Sequence, residues 1–493
     1  MASPSTPFVN RTADRWIALA LGLGVATLLT ALRAAQMGRI PTGLDGGEWL
    51  AIGRGLLGGP GRSTEGAYAP LVPAIAASLG GTIGEVEAVR WIAIGSLLIL
   101  LAAVAVVTAQ VGAMWVSPVA VAVVGSSSTV IEPMAFGGYP QNIAVAATLL
   151  AASGTSAWLT TGNKWWMAAM LGGTVVGTLA HHVYGLTTIV AVAGVAALSR
   201  LLIGSLPRAR WAPVSASVVI GIACLAPTLL AFRRAGYQAP LSASFTSRWD
   251  AWTYATREAT VFWVALTVVA LLLGILRMRR PEAWLARSGF ILLVGGLVAF
   301  AAVGQVRAMP MVTIGAVLIV SDWLATVELS RAPLAIPAAS VAMAIWLGVL
   351  GTREAASFFA FYRVLDQSLV NAAAAIDQDP TAGAVAVPAD HHQWPIGWWY
   401  EGLMSRPVIV GSDPEWLGFP GELRHAETAQ ELFDGSLSPT VLRQRAVEAG
   451  VSMFAMKKWD WIGWQRWLSA ESPAVEVIYD DNITIVLRLT GTP

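Results

Sequence analysis

The sequence predicts a polytopic α-helical membrane protein with a small α/β domain after its last span. Three observations predict it. Of 493 residues, 56% are hydrophobic and only 12% charged, about half the charge of an ordinary soluble domain. The apolar residues fall in repeated runs of roughly 20, the length that crosses a hydrocarbon core. From about residue 354 the runs stop and short β-rich segments take over.

The runs place about eleven spans near 15–36, 88–109, 111–127, 141–160, 165–181, 183–204, 211–232, 259–276, 287–304, 309–327 and 332–352. The first, preceded by Arg11 and Arg15, is read as an uncleaved span rather than a signal peptide. With the N-terminus in the cytoplasm, the inner loops collect Lys164, "RLLIGSLPRAR", "RMRRPEAWLAR" and Arg331, as the positive-inside rule requires. The outer side keeps Arg39, Arg54, Arg62, Arg233, Arg234, Arg248, Arg257 and Arg307. Outer arginines that disobey the rule suggest a bound anion. An odd span count puts the C-terminus outside. The predicted division is a membrane domain, 1–353, with a first outer loop at 37–87, and an extracytoplasmic α/β domain, 354–493.

In that domain, "AVAVPAD", "RPVIVGSD", "VSMFAMKK", "VEVIYDD" and "ITIVLRL" read as strands. "HAETAQELFDG" and "SPTVLRQRAVEAG" read as helices closed by glycine. Asp481-Asn482 reads as a hairpin turn at positive φ. The tryptophans of "WPIGWWYEGL" and "KKWDWIGWQRW" read as domain core or interface contacts rather than sugar platforms. A net charge of +1 gives no field for nucleic acid, and the lone Cys224 excludes a disulfide framework or a cysteine metal cluster.

The unusual polar residues gather on the outer side, where intramembrane polar groups are costly and commonly functional. "DGGE" puts Asp45 and Glu48 three residues apart. That is the spacing of a capping box, with Asp45 as N-cap and Glu48 at N3, and equally of a pinned catalytic carboxylate. Glu65, Tyr68 and Glu85 follow in the same loop. "SSSTVIEPMAFGGYPQN" supplies Glu132, Tyr139, Gln141 and Asn142, and "HHVYG" supplies His181, His182 and Tyr184. Neighbouring helical histidines point about 100° apart and seldom share one metal. They suit interfacial hydrogen bonding, or a metal or phosphate role. Glu132 reads as a buried structural partner or a functional carboxylate. Arg233 and Arg234 read as flanking anchors or anion ligands. Gln305 and Arg307 close the outer set.

The first loop, with Asp45, Trp49-Leu50, Gly53, Leu56-Leu57, Tyr68, Pro70, Leu71 and Pro73, resembles that of the lipid-linked-sugar transferases of the GT-C fold. The outer α/β domain resembles the periplasmic domain of oligosaccharyltransferase-type members. "GWWYEGLMSRPVIVGSDPEWLGFP" is also similar to a stretch of membrane proteins labelled 6-pyruvoyl-tetrahydropterin synthase-related. That enzyme's three-histidine zinc site with an H-x-H pair is not present, since the histidines are two "HH" pairs and His425. A W-W-D-Y-G-like motif is missing too, "KKWDWIGW" being a poor substitute.

The GT-C resemblance implies an inverting glycosyltransferase with a polyprenyl-phosphate-linked sugar as donor. The acceptor would be a glycan, lipid or protein. Asp45 would be the base, and Arg307, Arg248 and Arg233 would bind phosphate. Glu48, Tyr139, Gln141 and His182 would contact substrate. Glu132 and His181 would hold a divalent ion, Mg or Mn, if one is used. Partners would be the donor, the acceptor and membrane lipids, with no nucleic acid. A transporter or flippase for a lipid-linked or anionic substrate, and a non-catalytic scaffold, are the alternatives. The transporter reading calls for repeats, and the sequence shows none.

Overall fold

The computed structural model describes residues 11–62, 67–204, 206–238, 247–303, 306–326, 335–461, 463–469 and 475–490. Glu65, Gln305 and Arg331 lie outside them. In chain order the helical part comprises α1 (Arg11–Met37), the short α2 (Gly46–Leu56) and α3 (Leu71–Ile83), α4 (Glu85–Ala109), α5 (Val116–Gly125), α6 (Ser128–Phe136) and α7 (Tyr139–Thr161). It continues with α8 (Lys164–Ala180), α9 (His182–Ile203), α10 (Trp211–Arg234), α11 (Arg248–Thr256), α12 (Thr260–Arg277), α13 (Trp284–Val303), α14 (Met309–Leu324) and α15 (Ala335–Phe361).

Among the described residues eight helices are long and apolar enough to cross a membrane, and a ninth forms if α5 and α6 count as one broken span. The expected count of eleven is therefore not reached by length and composition. At the two remaining expected positions α8 has only 17 residues, and the run at 332–352 begins outside the described residues. The expected span at 111–127 is displaced and broken: α5 and α6 meet at 52°. The break falls at Ser126 and Ser127, where Ser127 turns extended. A break in a spanning helix is tolerated where polar side chains and other helices re-satisfy the freed groups. Here the backbone stays paired across the break: Ser127 N–H donates to Val124 O at 3.1 Å, and Ser127 O accepts the Val130 and Ile131 N–H groups at 3.0 and 3.1 Å, while the Ser128 hydroxyl donates to Glu354 at 2.6 Å. Large apolar side chains stay exposed along the spans, among them Leu28, Leu186 and Leu272, a surface made for lipid rather than water.

α15 continues through residue 354 to Phe361, and the α/β part begins with α16 (Gln367–Gln378). It contains β1 (Ala384–Val387), α17 (Gly397–Leu403), β2 (Val408–Val410), α18 (Pro420–Leu432), α19 (Pro439–Glu448), β3 (Val451–Lys457), α20 (Trp464–Ser469), β4 (Val475–Asp480) and β5 (Thr484–Leu489). The sheet order is β2-β1-β3-β5-β4. β1 pairs parallel with β2 and β3, and β5 pairs antiparallel with β3 and β4. The parallel part follows from its helical crossovers, which antiparallel hairpins do not need. Val385, Val408, Phe454, Ile485 and Leu487 fill the core. All five expected strands form. The hairpin differs in chemistry. Neither Asp481 nor Asn482 takes positive φ; the Asp481 carboxylate accepts the N–H groups of Ile483 and Thr484 at 2.7 and 2.8 Å, an Asx-type turn that removes the need.

Candidate active site

Asp45 occupies the N-cap position of α2, at φ −81° and ψ −8°, but its side chain caps nothing. Its backbone carbonyl accepts the Trp49 N–H at 3.0 Å, while the carboxylate is left for other work. Glu48 does not reach back to close a capping box. It pairs with Arg62 at 2.6 Å. The box spacing is present and the box is not, because a desolvated arginine is a stronger partner for Glu48 than a backbone N–H.

The glycines of "DGGE" serve packing. A Cβ on Gly47 would fall 2.5 Å from the Trp399 Cα, and one on Gly402 would fall 2.5 Å from the Gly47 carbonyl oxygen. α2 therefore lies backbone-to-backbone on α17, tying the first loop to the α/β domain. The loop before Asp45 is pinned on three sides. Gly43 N–H donates to Tyr362 O at 2.9 Å and Leu44 N–H to Phe136 O at 2.8 Å. The Trp399 indole donates to Gly43 O and the Trp49 indole to Gly137 O, each at 2.8 Å. Gly43 and Gly137 both sit at φ 109°, where an L side chain is strained. A Cβ at Gly137 would also lie 2.9 Å from the Asp45 Cβ. Two glycine turns thus meet so that Asp45 is held in one place.

Burial pushes the Asp45 carboxyl up to about 7, with the Arg307 charge pulling the other way. Burial pushes Glu48 up to about 8. Arg62 opposes this, while Asp45, Glu422 and Glu401 reinforce it. Arg62 stands at the centre of three carboxylates: Glu48, Glu422 at 2.7 Å and Glu401 at 3.4 Å. All four side chains are at most 12% exposed. Glu401 lies on α17 and Glu422 on α18, so the quartet clamps the α/β domain to the first loop.

Tyr68 extends the site. Its ring tilts against Trp49 at 4.4 Å and meets His181 and His182 edge-on at 5.7 and 5.4 Å. Burial raises its hydroxyl well above the usual value. The two histidines stack at 4.9 Å, and His181 Nδ1 caps α9 by accepting the Val183 N–H at 3.2 Å. His182 rests on Phe232 at 4.6 Å. Arg307 is exposed, makes no ion pair among the described residues and is held through its carbonyl by the Tyr184 hydroxyl. Its charge acts on Asp45, Tyr68, Glu132, His181, His182, Tyr184 and Tyr237. An unpaired guanidinium facing a carboxylate and a ring of aromatic and imidazole groups can take an anion bidentately.

Glu132 Oε1 accepts the hydroxyls of Tyr254 at 2.8 Å and Tyr362 at 3.0 Å, with Arg257 over the Tyr254 ring. Glu132 and His181 thus spend atoms on tyrosines and on a helix cap. Among the described residues no group of three His, Cys, Asp or Glu could hold a metal. Glu132 and His181 alone do not complete a donor set for a divalent ion among the described residues. Of the other expected contacts, Tyr139 lies close enough to Asp45 for the two to interact electrostatically. The Tyr139 hydroxyl donates to Thr42 O at 3.1 Å, Gln141 is buried in the first turn of α7, Arg248 donates to Ala301 O at 3.2 Å, and Arg233 is exposed at the end of α10. Sequence reasoning missed the partners Tyr362, Glu401 and Glu422. Each lies more than 200 residues from the group it holds, and no local pattern announces it.

A bundle of spanning helices, a first loop carrying an unspent carboxylate, and an α/β domain seated on that loop define a polytopic membrane protein of the GT-C fold. Two solved proteins share it. ArnT from Cupriavidus metallidurans in the apo state matches with a TM-score of 0.59 at 14% identity, over 97% of this chain and 98% of that one. The same protein bound to undecaprenyl phosphate matches at 0.55 and 14%, over 95% and 97%. The Archaeoglobus fulgidus oligosaccharyltransferase in complex with Zn and sulfate matches at 0.52 and 11%, over 88% and 68%. No family profile and no curated protein matches the chain.

Proposed function

We propose that this chain is a membrane glycosyltransferase that moves a sugar from a polyprenyl-phosphate donor to an acceptor on the side carrying the α/β domain. In this reading that side is extracytoplasmic and the N-terminus cytoplasmic. The undecaprenyl phosphate bound by ArnT supports the donor class, and the oligosaccharyltransferase tethered with an acceptor peptide supports a separate acceptor. The observation that carries the reading is Asp45: a carboxylate freed from its own helix, raised toward neutrality by burial, and opposed by the unpaired Arg307.

Asp45 takes the proton of the acceptor hydroxyl. The acceptor oxygen bonds to the anomeric carbon as the bond from that carbon to the phosphate oxygen breaks. The electron pair leaves with the phosphate, whose growing charge Arg307 stabilises. With base and leaving group on opposite faces of the sugar, the anomeric centre inverts. Glu48 acts through Arg62 and fixes the loop. Arg233, Arg248 and Gln141 are peripheral, and Tyr139 braces the backbone before Asp45.

The test is incubation of the purified full chain in lipid nanodiscs with radiolabelled polyprenyl-phosphate hexoses and pentoses plus an envelope glycan fraction. The expected result is release of polyprenyl phosphate and transfer of label. Folded protein that turns over no member of that panel contradicts the proposal.

A further inference from the structure

The α/β domain holds a second crevice, away from Asp45. Its volume is about 210 Å³, and it is lined by Phe361, Arg363, Asp390, His391, His392, Trp394, Lys457 and Trp459, among others. That is the space of about seven waters at ~30 Å³ each, the scale of one small ring. The topology makes the place special. β1 lies between β2 and β3 and is parallel to both. The chain therefore leaves β1 to one side for β2 and returns on the other for β3. Three segments form the crevice: residues 360–364 at and just past the end of α15, residues 390–394, just past the carboxyl end of β1, and residues 457–459, where β3 ends. Ligands of open α/β sheets bind at such a switch point.

The side chains narrow the ligand class by elimination. The carboxylates are turned inward. Asp390 Oδ1 accepts the N–H groups of His392 and Trp394 at 2.9 and 2.8 Å, and the wholly buried Asp460 accepts the His391 N–H at 3.2 Å. The cations are engaged. Lys457 Nζ donates to Val364 O at 2.8 Å and pairs with Asp366 at 3.0 Å, and Arg363 donates to Met37 O at 3.1 Å. The groups that face outward are two imidazoles and an indole. His391 keeps Nδ1 toward Asp460 and Asp390, at 3.5 and 3.9 Å, which leaves Nε2 for a ligand. His392 lies 4.0 Å from it, ring to ring. Trp459 is 53% exposed. Lys457 Nζ lies over one face of the Trp459 ring at 5.8 Å; imidazole groups beside the exposed remainder of that indole, with the cations and carboxylates engaged by the protein, suit a polyhydroxylated ring. The crevice is also wired to the first site. Trp394 stacks on Tyr362 at 5.7 Å and 17°, and the Tyr362 hydroxyl holds Glu132.

We propose that this crevice is a saccharide-binding subsite holding one sugar ring of the acceptor glycan, with Trp459 as platform and His391 and His392 as its hydrogen-bonding groups. Its role as an acceptor subsite rests on the transferase reading above, whereas sugar binding itself does not. The test is saturation-transfer NMR on the full chain in nanodiscs with methyl glycosides of glucose, galactose, mannose and arabinose. Inorganic phosphate and ZnCl₂ serve as competitors. At least one glycoside should bind saturably. Trp459→Ala should weaken it about tenfold, the scale of one aromatic contact, and Trp459→Phe should restore it. No saturable binding by any glycoside, equal binding by Trp459→Ala, or displacement by phosphate or zinc overturns the subsite. Binding that survives in a chain inactive toward every donor would sink only the transferase reading.

Discussion

Replacing Arg307 with glutamine separates the two jobs assigned to it. The Arg307 charge lowers an Asp45 carboxyl that burial has raised to about 7. A nearby opposite charge is worth about 1–3 pKa units, at 1.36 kcal/mol each. Its removal therefore sends Asp45 toward about 8–10. A base must be ionised, so the ascending limb of the pH–rate profile should lie near 7 in the wild type and move alkaline by that amount in Arg307→Gln. At pH 7 the ionised fraction falls about 5- to 500-fold by this route alone. Loss of the phosphate ligand adds a further, pH-independent fall in kcat/KM. The assay is initial-rate transfer from a labelled polyprenyl-phosphate sugar between pH 5.5 and 9.5. An Arg307→Gln profile lower in height but unmoved along the pH axis would refute the Asp45–Arg307 coupling.

Glu48, raised to about 8 in the folded chain against about 4.3 when unfolded, binds a proton on folding. Its contribution to stability is full below about pH 4 and lost as pH rises toward 8, by at most ~1.4 kcal/mol per pH unit; Glu48→Gln should flatten the decline of Tm between pH 5 and 8 in micelles. Arg62→Met leaves three buried carboxylates without their cation and should cost about 3–5 kcal/mol at pH 8, less at pH 5, measured by the same melts. Gly137→Ala strains a φ of 109° and crowds Asp45; transfer should fall by about 100-fold, the cost of misplacing a reacting group by 1 Å, with KM little changed. Tyr362→Phe unties Glu132 and should cost about 1–3 kcal/mol of stability.

How far the sequence could be read depended on the range of the interaction concerned. Spanning runs and strands announce themselves locally, because burial in lipid or in a sheet needs a periodic or continuous apolar pattern. The broken α5–α6 pair did not, since Ser126 and Ser127 look like any polar loop at the end of a run. "DGGE" carries the spacing of a capping box, yet what decides its fate is Arg62, pulled in by Glu401 and Glu422 from the far end of the chain. The tryptophans of "WPIGWW" read correctly as core: Trp394, Trp398 and Trp399 are buried. Trp459 is 53% exposed and is not core, because its exposure depends on where β3 ends rather than on its neighbours. Asp45 was legible as a candidate through its loop. That its carboxylate is uncapped was not, because capping geometry turns on a side-chain torsion that sequence spacing leaves open.

The central claim is that Asp45 is the base of a sugar transfer. Its most direct test is single-turnover transfer by Asp45→Asn beside wild type, with both melting at the same temperature. The amide keeps the size of the side chain and cannot take a proton at neutral pH. The account predicts loss of at least about 100-fold, the low end of what a positioned base contributes, at every pH from 6 to 9 while donor binding persists. Transfer by the Asp45→Asn variant at the wild-type rate contradicts it.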